Sequence, residues 1–252
     1  QFDPLWHATG LAYHLHEHTV TGLQAETAYH WRARVQHSAV TNPFDPPFGR
    51  WLHMPWNGWN ETDLRTSGVG RFVVNTDADD AQARDAHPGD GACVDHRGTC
   101  SLRAALEETN AHPGPDEITF AHGMEIDVGP AQGELPTGLE PSVIDAAPNG
   151  YRTMNRPGVT IDGGGTLSDG LTLAADVCSV FGLHIRNFES DGIHVGSGSN
   201  VIGGPVVGQG NVLSGNGSCG LFLIGARAHH NVVQGNWLGL APDGVTPNPN
   251  QT

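Results

Sequence analysis

Two stretches of this chain can be laid over one another with their apolar positions in step, and that repeat limits the fold more than any other feature. GLHIRNFESDGIHVGSGSNVIGG aligns with GNVLSGNGSCGLFLIGARAHHNVVQGN. Gly182 falls on Gly210, Ile185 on Leu213, Gly192 on Gly220, Ile193 on Leu221 and Val195 on Leu223, each pair 28 residues apart. Asn200-Val201-Ile202 then meets Asn231-Val232-Val233 after a three-residue insertion. A unit of this size cannot bury its own apolar face, so such units stack and bury each face on the next. The spacing therefore predicts stacked coils with Ile193, Val195, Val201, Leu221, Leu223 and Val232 inside. Short β-type runs upstream (DEITFA, PSVIDA, GVTIDGGG, LTLAA), broken by glycine-rich turns, extend the pattern over residues 117–252. Asn211, Asn216, Asn231 and Asn236 sit at turns, where asparagines stack and hydrogen-bond along the axis.

Composition removes several function classes. Of 252 residues, 35 are glycine and 17 proline while 15% are charged, a turn-rich β composition rather than that of a helix bundle. Twelve basic residues against 27 acidic leave a net charge of −15, which argues against a nucleic-acid partner. All 12 are arginine. The absence of lysine removes Schiff-base chemistry, P-loop phosphate binding and a lysine base. No apolar run of about 18 residues predicts a membrane span. No targeting signal is read at Gln1, and the proline-rich VTPNPNQT reads as part of a longer protein.

Residues 1–67 carry a second pattern. Tyr29, Trp31, Ala33 and Val35 alternate with His30, Arg32 and Arg34, the period of a half-buried antiparallel strand. Leu23, Thr27 and Tyr29 form L-x-x-x-T-x-Y, which resembles the tyrosine corner of fibronectin type III domains. The resemblance implies a β-sandwich of which this chain holds only the later strands, the front ones lying upstream or coming from another chain. His14, His16 and His18 would share one strand face, read as a solvated surface in preference to a metal site. Trp51, Trp56 and Trp59 offer flat apolar platforms for stacking on glycans, against the alternative that they plug the end of the sandwich.

Residues 68–116 combine an acidic loop with one helix. Asp77, Asp79, Asp80, Asp85 and Asp90 supply oxygen ligands suited to calcium, with a plainly solvated loop as the competing account. Cys93 and Cys100 bracket CVDHRGTC, which lacks zinc-ligand spacing; a loop disulfide in an oxidising compartment is favoured over free thiols. Nothing local fixes whether Cys178 and Cys219 meet. SLRAALEETNA predicts a helix with Ser101 as N-cap, an apolar stripe of Leu102, Ala105, Leu106 and Thr109, and a stop at Pro113-Gly114. Cys100, Ser101, Leu102, Arg103 and Ala105 resemble the CSLREA motif region of secreted and surface bacterial proteins, with Ala104 replacing the acidic residue and Leu106 the usual isoleucine. That resemblance implies a fold class: an all-β, right-handed parallel β-helix, capped at its N-terminal end by the short helix and preceded by the partial fibronectin-like sandwich.

The carboxylates expected to matter for glycan chemistry are Asp162, Asp169, Glu189 and Asp191. In the 28-residue register Glu189 falls on Gly217 and Asp191 on Cys219, so the following coil offers no partner. Arg186 and Arg227 show no acidic cluster in register, and no catalytic residue is assigned. The expected function is a non-enzymatic structural or adhesive module of an extracellular surface, matrix or filament protein, with further copies of itself or cell-surface polysaccharide as partners. A polysaccharide lyase or hydrolase with active coils outside these residues, and a glycan-binding module, are the alternatives.

Overall fold

The computed structural model describes residues 69–147 and 157–251, together with four two-residue strands nearer the N-terminus. The chain divides into two units, Gln1–Thr66 and Ser67–Thr252. In the first, β1 (Ala28–Tyr29) pairs antiparallel with β4 (Leu64–Arg65), and β2 (Arg32–Ala33) with β3 (Leu52–His53). The tyrosine-corner side chains, the three histidines and Trp51, Trp56 and Trp59 lie outside the described residues.

The second unit is built from parallel strands in three sheets. One sheet contains β5 (Gly70–Val74), β6 (Asp116–Phe120), β8 (Ser142–Asp145), β11 (Ser179–Phe181), β14 (Val201–Ile202) and β17 (Val232–Val233). A second contains β7 (Met124–Asp127), β9 (Val159–Asp162), β12 (Leu183–Arg186), β15 (Val212–Ser214) and β18 (Trp237–Leu238). The third contains β10 (Leu171–Leu173), β13 (Ile193–Val195) and β16 (Leu221–Leu223). From β11 onward the chain visits the three sheets in strict rotation, each strand lying parallel beside its predecessor of one circuit earlier. Among the described residues no helix is long and apolar enough to cross a membrane.

The register is the one the repeat implied. Ile185 pairs with Leu213, Ile193 with Leu221, Val195 with Leu223, and Val201 with Val232. Alternation along each strand sends Ile126, Ile161, Ile185 and Leu213 inward as one apolar ladder, each at most 1% exposed. Two of the expected interior residues are not buried: Leu223 is 38% exposed and Val232 45%, while Leu221 and Val201 are half-buried. Leu223 faces inward on β16, an edge strand with a neighbour on one side only. Val201 and Val232 instead stand in the outward row with Ser179 and Val143, next to the inward row of Ile144, Val180, Ile202 and Val233, so the expectation that they lie inside is overturned by strand alternation.

The backbone at the corners is satisfied by asparagine. A buried peptide group left unpaired costs about 1–3 kcal/mol, so each turn needs a local partner. Asn211, fully buried, accepts from Leu183 N–H at 3.0 Å and donates to Val180 C=O at 2.9 Å, while its own N–H donates to Asn236 Oδ1. Asn216 stands in the same relation to Phe188 N–H and Asn250, and Asn200 to Cys178 N–H and Asn231. The corners also admit only glycine at close crossings: a Cβ on Gly210 would lie 2.0 Å from Gly235 O. The proline-rich end belongs to this architecture, because Asn250 completes the Asn216 ladder and Asn248 donates to Ser214 Oγ. Asn211→Ala strands the buried Leu183 N–H, while Val180 C=O keeps the Gly203 N–H, and is expected to lower unfolding free energy by about 1–3 kcal/mol, read from the urea midpoint.

Helix α1 (Leu102–Ala111) packs against β5, the edge strand of its sheet. Ser101 caps it, accepting from Ala104 N–H, and Leu102, Ala105 and Leu106 join the same apolar core as Phe72, Val74 and Ile118. Arg103 is 2% exposed, yet each of its three guanidinium nitrogens is hydrogen-bonded: Nε and Nη2 bind the Asp79 carboxylate at 2.7 and 2.9 Å, Nη2 also reaches the Gly133 carbonyl and Nη1 the Glu134 carbonyl. The buried Glu108 carboxylate gathers the loop by accepting from Gly89 and Gly91 N–H. Cys93 and Cys100 form a disulfide, and Cys178 and Cys219 are free. Arg103→Met leaves the Asp79 charge buried without a counter-ion; a loss of about 3–5 kcal/mol in denaturant titration is expected, largely restored by adding Asp79→Leu.

Candidate functional site

Strand alternation turns two rows of side chains outward on the β7–β9–β12–β15 sheet. In one row Glu125, Thr160 and His184 follow each other in register; in the next come Asp127, Asp162, Arg186 and Ser214. The result is an arginine among three carboxylates. Arg186 pairs with Glu125, and its Nε lies 2.8 Å from Asp162 Oδ2 with the N–H not aimed at that oxygen. One ligand oxygen from each of Glu125, Asp127 and Asp162 lies within 4.8 Å of the others. Asn187 donates to both Asp162 oxygens, at 3.1 and 2.9 Å.

This overturns the expectation that no acidic cluster accompanies Arg186. Its partners come from preceding circuits at separations other than 28: Asp162 stands 25 residues before Asn187, and Glu125 stands 61 before Arg186. Arg227 also has an acidic neighbour, Asp176 at 3.7 Å, both strongly exposed.

An open groove follows the turn after these strands. Asp162, Asn187, Glu189 and Gln251 contribute its polar wall, with glycines 164, 165, 215 and 217 beneath them. Gly164 and Gly165 have φ of 62° and 71°, and a Cβ there would meet nothing, so the floor stays low and backbone is reachable. Asp162, Asn187 and Glu189 are thus brought to one feature, whereas Asp169 and Asp191 lie beside the third sheet. There each accepts an amide from the next circuit, Asp191 N–H and Cys219 N–H respectively, and both approach His194.

The acidic loop does not gather as calcium ligands. Among the described residues, the groups of three or more side chains close enough to hold an ion are Glu125–Asp127–Asp162 and Asp169–Asp191–His194, neither of them in that loop. Asp79 is committed to Arg103 and Gly129 N–H. The Gln82 amide, and then the Arg97 guanidinium, hold the Asp80 carboxyl below its ordinary range. Asp85 accepts from His87 and Val94 N–H, Asp90 accepts from Ala92 N–H, and Asp77 is exposed. Carboxylates spent on turn amides hold the loop's shape.

His184, which sequence reasoning passed over, stands in the row beside the Arg186 cluster, 4% exposed between Thr160 Oγ1 and Ser214 Oγ. Burial, reinforced by the nearby Arg186 charge, pushes its pKa down to about 4. The comparisons with known proteins add nothing to this geometry: no family model, curated protein or solved structure matches the chain. Below pH 6.5 the unfolded chain takes up a proton on this residue that the folded chain refuses. Its contribution to stability is therefore complete above pH 6.5 and declines as pH falls toward about 4, roughly 3 kcal/mol in all. Subtracting the stability–pH curve of His184→Gln from that of the wild type should isolate this slope; parallel curves would refute it.

Proposed function

We propose that this chain is a non-enzymatic, extracellular structural and adhesive module. Its second unit is read as a right-handed parallel β-helix entered through a CSLREA-type capping segment, and its first as part of a fibronectin type III-like sandwich. The carrying observation is the open glycine-floored groove, which crosses the 164–165, 187–189 and 215–217 turns of successive circuits and reaches Gln251. A site that repeats from circuit to circuit suits an extended polymer, and amide and carboxylate groups over exposed backbone suit sugar hydroxyls. The net charge of −15 favours neutral over acidic polysaccharide. The Cys93–Cys100 disulfide supports an oxidising location.

A second reading, a polysaccharide-cleaving enzyme, draws support from Arg186 among Glu125, Asp127 and Asp162. Affinity electrophoresis through gels containing neutral polysaccharides, run beside an assay for reducing ends and unsaturated products, separates the two. The module reading expects retardation that weakens several-fold in Glu189→Ala/Gln251→Ala, with no product. Product release by wild type that Arg186→Ala abolishes would establish the enzyme instead.

A further inference from the structure

On the sheet β10–β13–β16, Thr172, His194 and Phe222 form the outward row between the inward pairs Leu171/Leu173, Ile193/Val195 and Leu221/Leu223. Asp169 and Asp191 lie in the turns that lead into β10 and β13, 22 residues apart, so the parallel register stacks them next to the His194 ring. Each carboxylate has one oxygen fixed by the backbone: Asp169 Oδ1 accepts Asp191 N–H at 3.1 Å, and Asp191 Oδ1 accepts Cys219 N–H at 3.0 Å. Both remaining oxygens converge on one atom, His194 Nδ1, at 3.7 Å from Asp169 Oδ2 and 3.3 Å from Asp191 Oδ2. Phe222 backs the imidazole edge-on at 5.5 Å between ring centres.

A single Nδ1–H can point at one oxygen only: it reaches Asp191 Oδ2 in a long hydrogen bond at 3.3 Å, leaves Asp169 Oδ2 at 3.7 Å without one, and both distances exceed the ~2.7–2.9 Å of a charge-assisted hydrogen bond. They match the separations between ligands of a common ion. For a zinc-class ion about 2.1 Å from each atom, 3.3 Å subtends about 104° and 3.7 Å about 124°, either side of the tetrahedral angle. We propose that Asp169 Oδ2, Asp191 Oδ2 and His194 Nδ1 form a binding site for a divalent transition-metal ion of the zinc class. One nitrogen and two carboxylate oxygens suit zinc better than calcium, which takes six to eight oxygens. The imidazole is 28% exposed, so solvent reaches the site and an ion can enter it. The Arg186 cluster belongs to a different sheet and carries its own cation, so the two sites are separable.

Zinc titration of the EDTA-treated protein against a chromogenic chelator tests this, with cobalt substitution reporting geometry. Wild type should bind one equivalent more than His194→Ala, and its cobalt form should show the intense visible d–d bands of tetrahedral coordination. Asp169→Asn keeps the oxygen that accepts Asp191 N–H and replaces only the proposed ligand oxygen; it should weaken zinc at least tenfold with an unchanged urea midpoint. A His229→Ala/His230→Ala variant, which removes the exposed histidine pair whose Nδ1 atoms lie 3.0 Å apart, should retain the extra equivalent. Equal zinc stoichiometry and affinity in wild type, His194→Ala and Asp169→Asn would overturn the assignment, as would calcium binding there in preference to zinc.

Discussion

The asparagine hydrogen bonds at the corners are the interaction on which the second unit rests. Parallel strands of two to five residues satisfy their own peptide groups, but every circuit must bend between sheets over a dry interior. A side-chain amide solves this because it carries both a donor and an acceptor: Asn211 answers Leu183 N–H with its oxygen and Val180 C=O with its nitrogen. Glycine then becomes necessary beside it, since the neighbouring backbones cross too closely for a Cβ. The apolar ladder of Ile126, Ile161, Ile185 and Leu213 supplies the larger share of the burial energy, but the corners bring it into register.

Charge is managed by the same economy. Arg103 enters the core only because Asp79 and two carbonyls meet its donors, and Glu108 because two glycine amides meet its oxygens. Of the loop aspartates, Asp80, Asp85 and Asp90 accept amides of the chain's own turns, and Asp79 meets Arg103. Charges not spent this way appear where strand alternation points outward, which is how Arg186 and its three carboxylates come to share one surface.

The stacked, parallel character of the chain was legible because β12 to β15 and β13 to β16 happen to keep one spacing and one apolar pattern. Other circuits differ in length, and a fixed 28-residue comparison passes over them. A cue was nonetheless present: MEID, VTID and LHIR share an apolar–polar–Ile–charged order, and aligning them without regard to spacing stacks Asp127, Asp162 and Arg186. Asp169 and Asp191 were singled out, but their partnership runs to the preceding circuit, 22 residues away, whereas only the following one was considered. Burial of Leu223 does not follow from hydrophobicity because its strand has a neighbour on one side only, and burial of Val201 and Val232 does not because strand alternation turns them outward. The role of Asn250 was hidden by the prolines around it, which signal a bend and leave open whether the bend is packed.

The corner ladders span separations of 22, 25, 28, 31 and 34 residues between partner positions while making the same contacts. The chain between two corners is therefore free in length as long as the corner residues return to their places. Sequence change in such an architecture proceeds more readily by insertion and deletion than by substitution: an added residue is absorbed as a longer excursion at the surface, whereas a replaced asparagine or glycine is felt in two circuits at once. Relatives of this chain should diverge in length well before they diverge at their corners, and a comparison that penalises gaps heavily would find them foreign to one another.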